Sequence, residues 1–211
     1  MNISSRLMRK GEMTRAAILE TALDLACREG LEGLTIGLLA EKMSMSKSGV
    51  FAHFGSREDL QIAVLRLYHQ QFEQEIFYPS MKLARGLPRL RSLFERWVKR
   101  VTVEIASGCI YISGATEYDD RQGAIRDELA AMVGTWQNAL KRATEQAVKQ
   151  GHLHAELDPD QFVYEMYGLV LALHHDARFL KKSGSVNRVE LGFERMIKTY
   201  APQCQEYEEH H

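Results

Sequence analysis

Few side chains in this sequence of 211 residues are spaced to do chemistry. His152 and His154, with Glu156 and Asp158 close behind, offer imidazole and carboxylate ligands, but their spacing matches no common metal site and the segment reads as a loop. His174, His175 and Asp176 stand in a row. Neighbours in a helix point about a third of a turn apart, so packing or a hydrogen-bonded pocket lining fits them better than a shared ligand. Glu117, Asp119 and Asp120 around Tyr118 are acidic enough for acid–base work. No nucleophile, phosphate loop or second converging motif joins them, and a solvated turn is the simpler reading. Cys27, Cys109 and Cys204 are odd in number and far apart, which favours reduced thiols over a disulfide framework. No catalytic residue, metal or cofactor is expected, and the chain reads as something other than an enzyme.

The chemistry that remains is recognition. Residues 35–55, T-I-G-L-L-A-E-K-M-S-M-S-K-S-G-V-F-A-H-F-G, read as two short helices joined by a tight turn. Ile36, Leu39, Ala40 and Met43 recur at i, i+3, i+4 and i+7, behind Thr35 as N-cap. Ser46 can cap the second helix, and Met45 with Val50 is placed for a hydrophobic staple. Val50 and Phe54 then point inward, leaving Lys47, Ser48, Phe51 and Ala52 on an outward face bare enough to enter a groove. Gly55 can stop this helix as an αL residue, and Ser56 to Asp59 open the next with a capping box. This is a helix-turn-helix, which supports DNA binding directly. Lys47 offers a bidentate or phosphate contact, Ser48 and Phe51 short polar and apolar ones. Ser46, Gly49 and Ala52 complete that surface. Thr35, His53, Arg57 and the basic residues Arg9 and Arg15 ahead of the motif would hold phosphates without reading sequence.

The run A-E-K-M-S-M-S-K-S-G-V-F-A-H-F-G-S-R-E-D-L, residues 40–60, resembles the signature of the tetracycline-repressor (TetR) family of bacterial transcriptional regulators. Ala40, Ser46, Lys47, His53, Phe54, Ser56 and Leu60 stand at the expected mutual spacing. With residues 18–30 the likeness covers roughly the first quarter of the chain; helix layout alone carries it further. Two positions depart from the pattern: Phe51, where the family often has Tyr, and Gly49, where Thr, Ser or Ala is common. The resemblance implies a homodimer on an inverted-repeat operator of double-stranded DNA, released by a small-molecule effector of unknown identity.

The rest of the chain must position these residues. Ile18, Ala22, Leu25 and Ala26 mark a helix over residues 14–29 that Gly30 ends. The helix opened at Ser56 continues through Leu60, Val64, Tyr68 and Phe72 toward Pro79 as a connector between domains. Pro88 starts another, ended by Ser107 and Gly108. Residues 109–118 hold many small side chains and read as a weak helix or a strand. Residues 124–150 form a long amphipathic helix. Asp158 and Pro159 open a helix with two apolar stripes, Phe162, Met166, Leu169 and Leu173 against Tyr164, Gly168, Leu171 and His175. One stripe serves its own core and the other a partner. The last helix carries Val189, Phe193, Met196, Ile197 and Tyr200. Two such helices from each of two chains make a four-helix interface, for which Gly168, Leu171, His175, Phe193, Met196 and Ile197 are the candidates. Trp97, Tyr111, Met132, Trp136, Tyr164 and Tyr167, with Phe94 and His174, either fill a core or, given the resemblance, line an effector cavity.

The expected fold is therefore all-α: a basic arm over residues 1–13, a three-helix helix-turn-helix domain over 14–56, and a larger effector-binding and dimerisation domain over 57–203 that begins with the connector helix. Residues 204–211 form an acidic tail whose His210 and His211 match a tag remnant. The formal net charge of −1 hides this asymmetry of basic start and acidic end. No apolar run approaches the ~20 residues of a membrane span, and the start lacks the apolar core of a signal peptide, so the cytoplasm is the default location. A second class of function shares every feature above: a DNA-associated structural protein of the same fold, whose C-terminal face binds another protein instead of an effector.

Overall fold

The structure, a computed structural model, describes the backbone of residues 3–202 and the side chains of residues 11–202. Among these residues every regular element is helical. The chain divides into two compact units. One holds residues up to Glu73 together with Ala106–Gly134, and the other holds Gln74–Ile105 together with the residues from Thr135 on.

In the first unit, α1 spans Ile3–Gly33, so helix occupies the described part of the segment expected to be a basic arm. Once α1 is nucleated by its buried stripe of Ile18, Ala22, Leu25 and Ala26, each residue added upstream gains a hydrogen bond at little cost. Gly30 breaks it at φ 81°, ψ 165°. Helices α2 (Ile36–Lys42), α3 (Lys47–Phe54) and α4 (Arg57–Phe72) follow, each capped as the sequence indicates. Thr35 Oγ accepts from Leu38 N at 3.1 Å, Ser46 Oγ from Gly49 N at 3.1 Å and Ser56 Oγ from Asp59 N at 3.0 Å. Between α2 and α3 the chain makes a Schellman turn, with Met45 N donating to Ala40 O at 2.9 Å and Ser44 N to Glu41 O at 3.1 Å. Ser44 takes the left-handed position there, at φ 53°.

Helix α7 (Ile110–Tyr118) completes this unit with the part of α8 (Ala124–Lys149) up to Gly134. The segment read as weak helix or strand is a helix because its small residues serve packing. A Cβ on Gly114 would lie 3.2 Å from Leu31 and 3.0 Å from Leu129, so glycine there lets α7 approach both neighbours closely.

The second unit contains α5 (Tyr78–Met81), α6 (Leu87–Ser107) up to Ile105, the remainder of α8, α9 (Pro159–His174) and α10 (Ser185–Thr199). Asp158 caps α9, accepting from Asp160 N at 2.9 Å. The core of this unit stacks Phe94 of α6 on Phe193 of α10, centroids 3.9 Å apart and planes 16° from parallel. Phe193, Met196 and Ile197 are all buried against their own unit, which corrects their assignment to a partner-facing surface. The stripe with the highest apolar content on α10 is its core face. Of the two stripes on α9, Phe162, Met166 and Leu173 are buried, while Tyr164, Gly168, Leu171 and His175 remain exposed.

Candidate nucleic-acid interface

Helix α3 presents the surface that its sequence pattern requires. Val50 is fully buried and Phe54 nearly so, which fixes the helix against α2 and α4. Arg15 reaches from α1 to lie over the Phe54 ring, its guanidinium carbon 4.9 Å from the centroid. The opposite face, Lys47, Ser48, Phe51 and Ala52, is exposed; Phe51 keeps 52% of its surface open. Ser46 and Ser48 hydroxyls lie 3.2 Å apart. A Cβ on Gly49 would come 3.1 Å from Ser46 Oγ, so the bare glycine leaves room for this capping geometry. Lys47 does not project straight outward. Its Cε and Nζ pass 3.4 and 3.7 Å from where a Cβ on Gly37 would be, and Thr35 Oγ lies 3.9 Å from the same point. An ammonium and a hydroxyl thus gather at the start of α2. His53 is half-buried. The side chain of Arg9 lies outside the described residues.

Arg57 is placed differently from its expected role on phosphate. Its Nε donates to Leu34 O at 3.0 Å and its Nη2 to Glu32 O, with the Glu32 carboxylate 3.3 Å away. These bonds close the corner between α1 and α2. Glu32 is the hub of that corner and was not visible as such in the sequence. Tyr118 Oη donates to its Oε1 at 2.6 Å, Arg121 pairs with the same oxygen at 2.7 Å, and Glu32 N donates to Glu117 Oε2 at 3.2 Å. The Tyr118 hydrogen bond, then Arg121 and Arg57, hold the Glu32 carboxyl below the usual glutamate range against the opposing effect of burial. Burial and the Glu32 carboxylate push the Tyr118 phenol up, so it stays a donor. The acidic stretch read as a solvated turn is in this respect a clasp: Tyr118 is buried and Glu117 half-buried at the end of α7. At the other end of α7, Tyr111 packs edge-on to Tyr68 at 4.8 Å and against Phe72 at 5.1 Å, with its hydroxyl bonded to His69 Nδ1. Helix α7 is therefore fastened at one end to α4 and at the other to the α1–α2 corner.

The residues proposed for an effector cavity separate by unit. Tyr111 belongs to the cluster just described, and Met132 is buried in the same unit. In the second unit Trp97 meets Trp136 edge-on at 5.4 Å and Tyr167 at 5.1 Å, forming one aromatic group across α6, α8 and α9. Phe94 instead faces Phe193. His174 is half-buried with its Nε2 unbonded; desolvation, then Arg178 and His175, lower its pKa and keep the ring neutral. Tyr164 is 75% exposed, which removes it from any enclosed lining. It borders instead a surface groove of about 430 Å³ shared with Gln137, Lys141, Tyr167 and Leu171. His152 and His154 have structural roles: His152 Nδ1 accepts from Leu87 N at 3.0 Å and caps α6, and the His154 ring packs on Tyr200. Among the described residues no His, Cys, Asp or Glu cluster could hold a metal ion, and no helix is long and apolar enough to cross a membrane.

Two family profiles match the chain: "Bacterial regulatory proteins, tetR family" over residues 18–64 and "Tetracyclin repressor-like, C-terminal domain" over residues 86–193. The HTH-type transcriptional regulator RutR of Escherichia coli (strain K12) is similar at 24% identity over 204 residues, covering 87% of this chain and 85% of RutR. A TetR-family transcriptional regulator from Cytophaga hutchinsonii has the same fold, with a TM-score of 0.78 at 17% identity over 92% of this chain and 98% of that one. AibR, solved in complex with isovaleryl coenzyme A and operator DNA, superposes with a TM-score of 0.66 at 25% identity, covering 89% of this chain and 98% of AibR.

Proposed function

The chain belongs to the TetR family of bacterial regulatory proteins, and from that premise we propose that it represses transcription as a homodimer bound to an inverted-repeat operator and lets go when a small, mostly apolar molecule occupies its helical C-terminal domain. That it is a DNA-binding transcriptional regulator rather than an enzyme follows from the family itself. The observation that carries the finer reading is the fastening of α7 at both ends: whatever displaces this short helix pulls on the connector α4 through Tyr111 and on the corner below α2 and α3 through Tyr118 and Glu32. A ligand pressing on α7 would thereby change the presentation of α3. The aromatic group of Trp97, Trp136 and Tyr167 supports an apolar effector, and AibR, with its acyl coenzyme A and operator, supports the pairing of small molecule and DNA in this fold. The exposed stripe of Tyr164, Gly168 and Leu171 on α9, continued by His175 at its C-cap, supports a second copy as partner, and the cytoplasm as location accords with the role.

A switch from nearly all bound to nearly none requires the effector to prefer the released state by about 5.5 kcal/mol. Such a preference is read in two assays. A true effector raises the thermal midpoint, by the equivalent of ~2.7 kcal/mol at a hundredfold excess over its Kd, and the same compound lowers the fluorescence anisotropy of a bound operator duplex. Trp136→Phe, which keeps the aromatic packing, should shift the concentration needed for both effects together. If no compound from an apolar library that includes acyl thioesters both stabilises the protein and releases DNA, the effector is struck from the account.

A further inference from the structure

Helix α3 has very little with which to hydrogen-bond a base. Of its outward positions, Gly49 and Ala52 carry no donor or acceptor, Lys47 bends back over Gly37 toward Thr35, and the Ser48 hydroxyl is 3.2 Å from that of Ser46. His53 is half-buried, and Arg57, one residue past the cap of α4, is bonded to Leu34 and Glu32. What does project is a phenyl ring. Phe51 is 52% exposed in the middle of that face, with Ser48 three residues before it and Ala52 directly after it. Its neighbours on that face, Ser48, Gly49 and Ala52, are small enough for the helix to sink deep into a groove, which brings the ring against whatever the groove floor displays. The major groove displays one apolar feature that distinguishes bases, the 5-methyl group of thymine.

We propose that Phe51 is the specificity-determining residue of α3, reading thymine 5-methyl groups by apolar contact, while Lys47 and Thr35 hold a phosphate and contribute no base selection. This rests on the placement of α3 in the major groove. Each half-site then centres on at least one thymine whose methyl group the phenyl ring covers. Removing that methyl should weaken binding about fourfold per half-site, the factor that corresponds to ~0.8 kcal/mol for one buried methyl-sized group, and so about sixteenfold for a two-fold symmetric site.

The test starts from duplexes enriched from a random library by the full-length protein. Each thymine in the enriched site is replaced by deoxyuridine, which pairs identically and lacks only the methyl group, and affinities are measured by fluorescence anisotropy for the wild type, Phe51→Ala and Phe51→Tyr. The wild type should lose about sixteenfold on deoxyuridine at one symmetric pair of positions. Phe51→Ala should bind the thymine and deoxyuridine duplexes alike, and Phe51→Tyr should keep the discrimination. Lys47→Ala should lower affinity for every duplex by the same factor and reduce the slope of log K against log salt by about one per subunit. Equal binding of thymine and deoxyuridine duplexes by a wild type that still prefers its enriched site would overturn the inference and leave DNA binding intact, as would a Phe51→Ala variant that retains the full methyl dependence. Failure to enrich any duplex would overturn both it and the groove placement on which it rests.

Discussion

Charging Leu171 and Leu191 together, as Leu171→Glu with Leu191→Glu, is expected to convert the protein to monomers and to abolish operator binding at physiological salt. Both side chains are exposed in the protomer, 42% and 49%, so the single chain should keep its helical fold, with a thermal midpoint lowered by the loss of its partner. In a four-helix interface built on α9 and α10 each glutamate would enter an apolar seam without a partner charge, an arrangement that costs several kcal/mol. Two recognition helices must reach half-sites roughly 34–36 Å apart, and one module alone falls back toward the roughly 10⁻⁴–10⁻⁶ M of non-specific binding. The expected loss is therefore at least a thousandfold. Light scattering should report two chains for the wild type and one for the variant. Phe193→Glu is no substitute test, because it would put a charge against Phe94 inside the protomer.

The second large effect is on stability. Gly30→Ala is expected to destabilise the protein by about 3 kcal/mol, from backbone strain of ~1–3 kcal/mol at a conformation almost restricted to glycine and from disturbance of the clasp. The new Cβ would fall 2.0 Å from Glu117 Oε1, the carboxylate that accepts from Glu32 N. For a chain of this length that corresponds to a fall in Tm of roughly 6–12 °C. Gly134→Ala is the control. Gly134 lies inside α8 with open space around its Cα, so alanine there should stabilise by ~0.5–1 kcal/mol. Equal melting of Gly30→Ala and the wild type would mean that the corner is not held as described.

The two experiments draw on different parts of what the sequence could reveal. The helix-turn-helix was legible because it is specified locally: Ser46, Ser56 and Thr35 cap helices within three residues of themselves, and the burial of Val50 and Phe54 follows from helical period. The clasp was not legible, because Glu32 and Tyr118 are 86 residues apart and a single long-range polar pair leaves no periodic trace. Arg57 looked like a phosphate ligand for the same reason: its carbonyl partners, Leu34 and Glu32, are set by how α1 meets α2. On α10 the apolar stripe was read correctly as a stripe and wrongly as a partner surface, since periodicity shows which residues share a face and says nothing of what covers it. Leu191, exposed at 49%, lies off that stripe. Helix α7 was ambiguous because Gly114 lowers helix propensity, while the close approach to Leu31 and Leu129 that favours it is tertiary.

The central claim is that two copies of α3, held apart by one dimer, read the two halves of an inverted repeat. Enriching random duplexes with the full-length protein, sequencing them, and counting chains per bound duplex by light scattering tests it in one measurement. The account predicts an inverted repeat with half-site centres about one helical turn apart, occupied by two chains. An enriched site without two-fold symmetry, bound by a single chain, would contradict it.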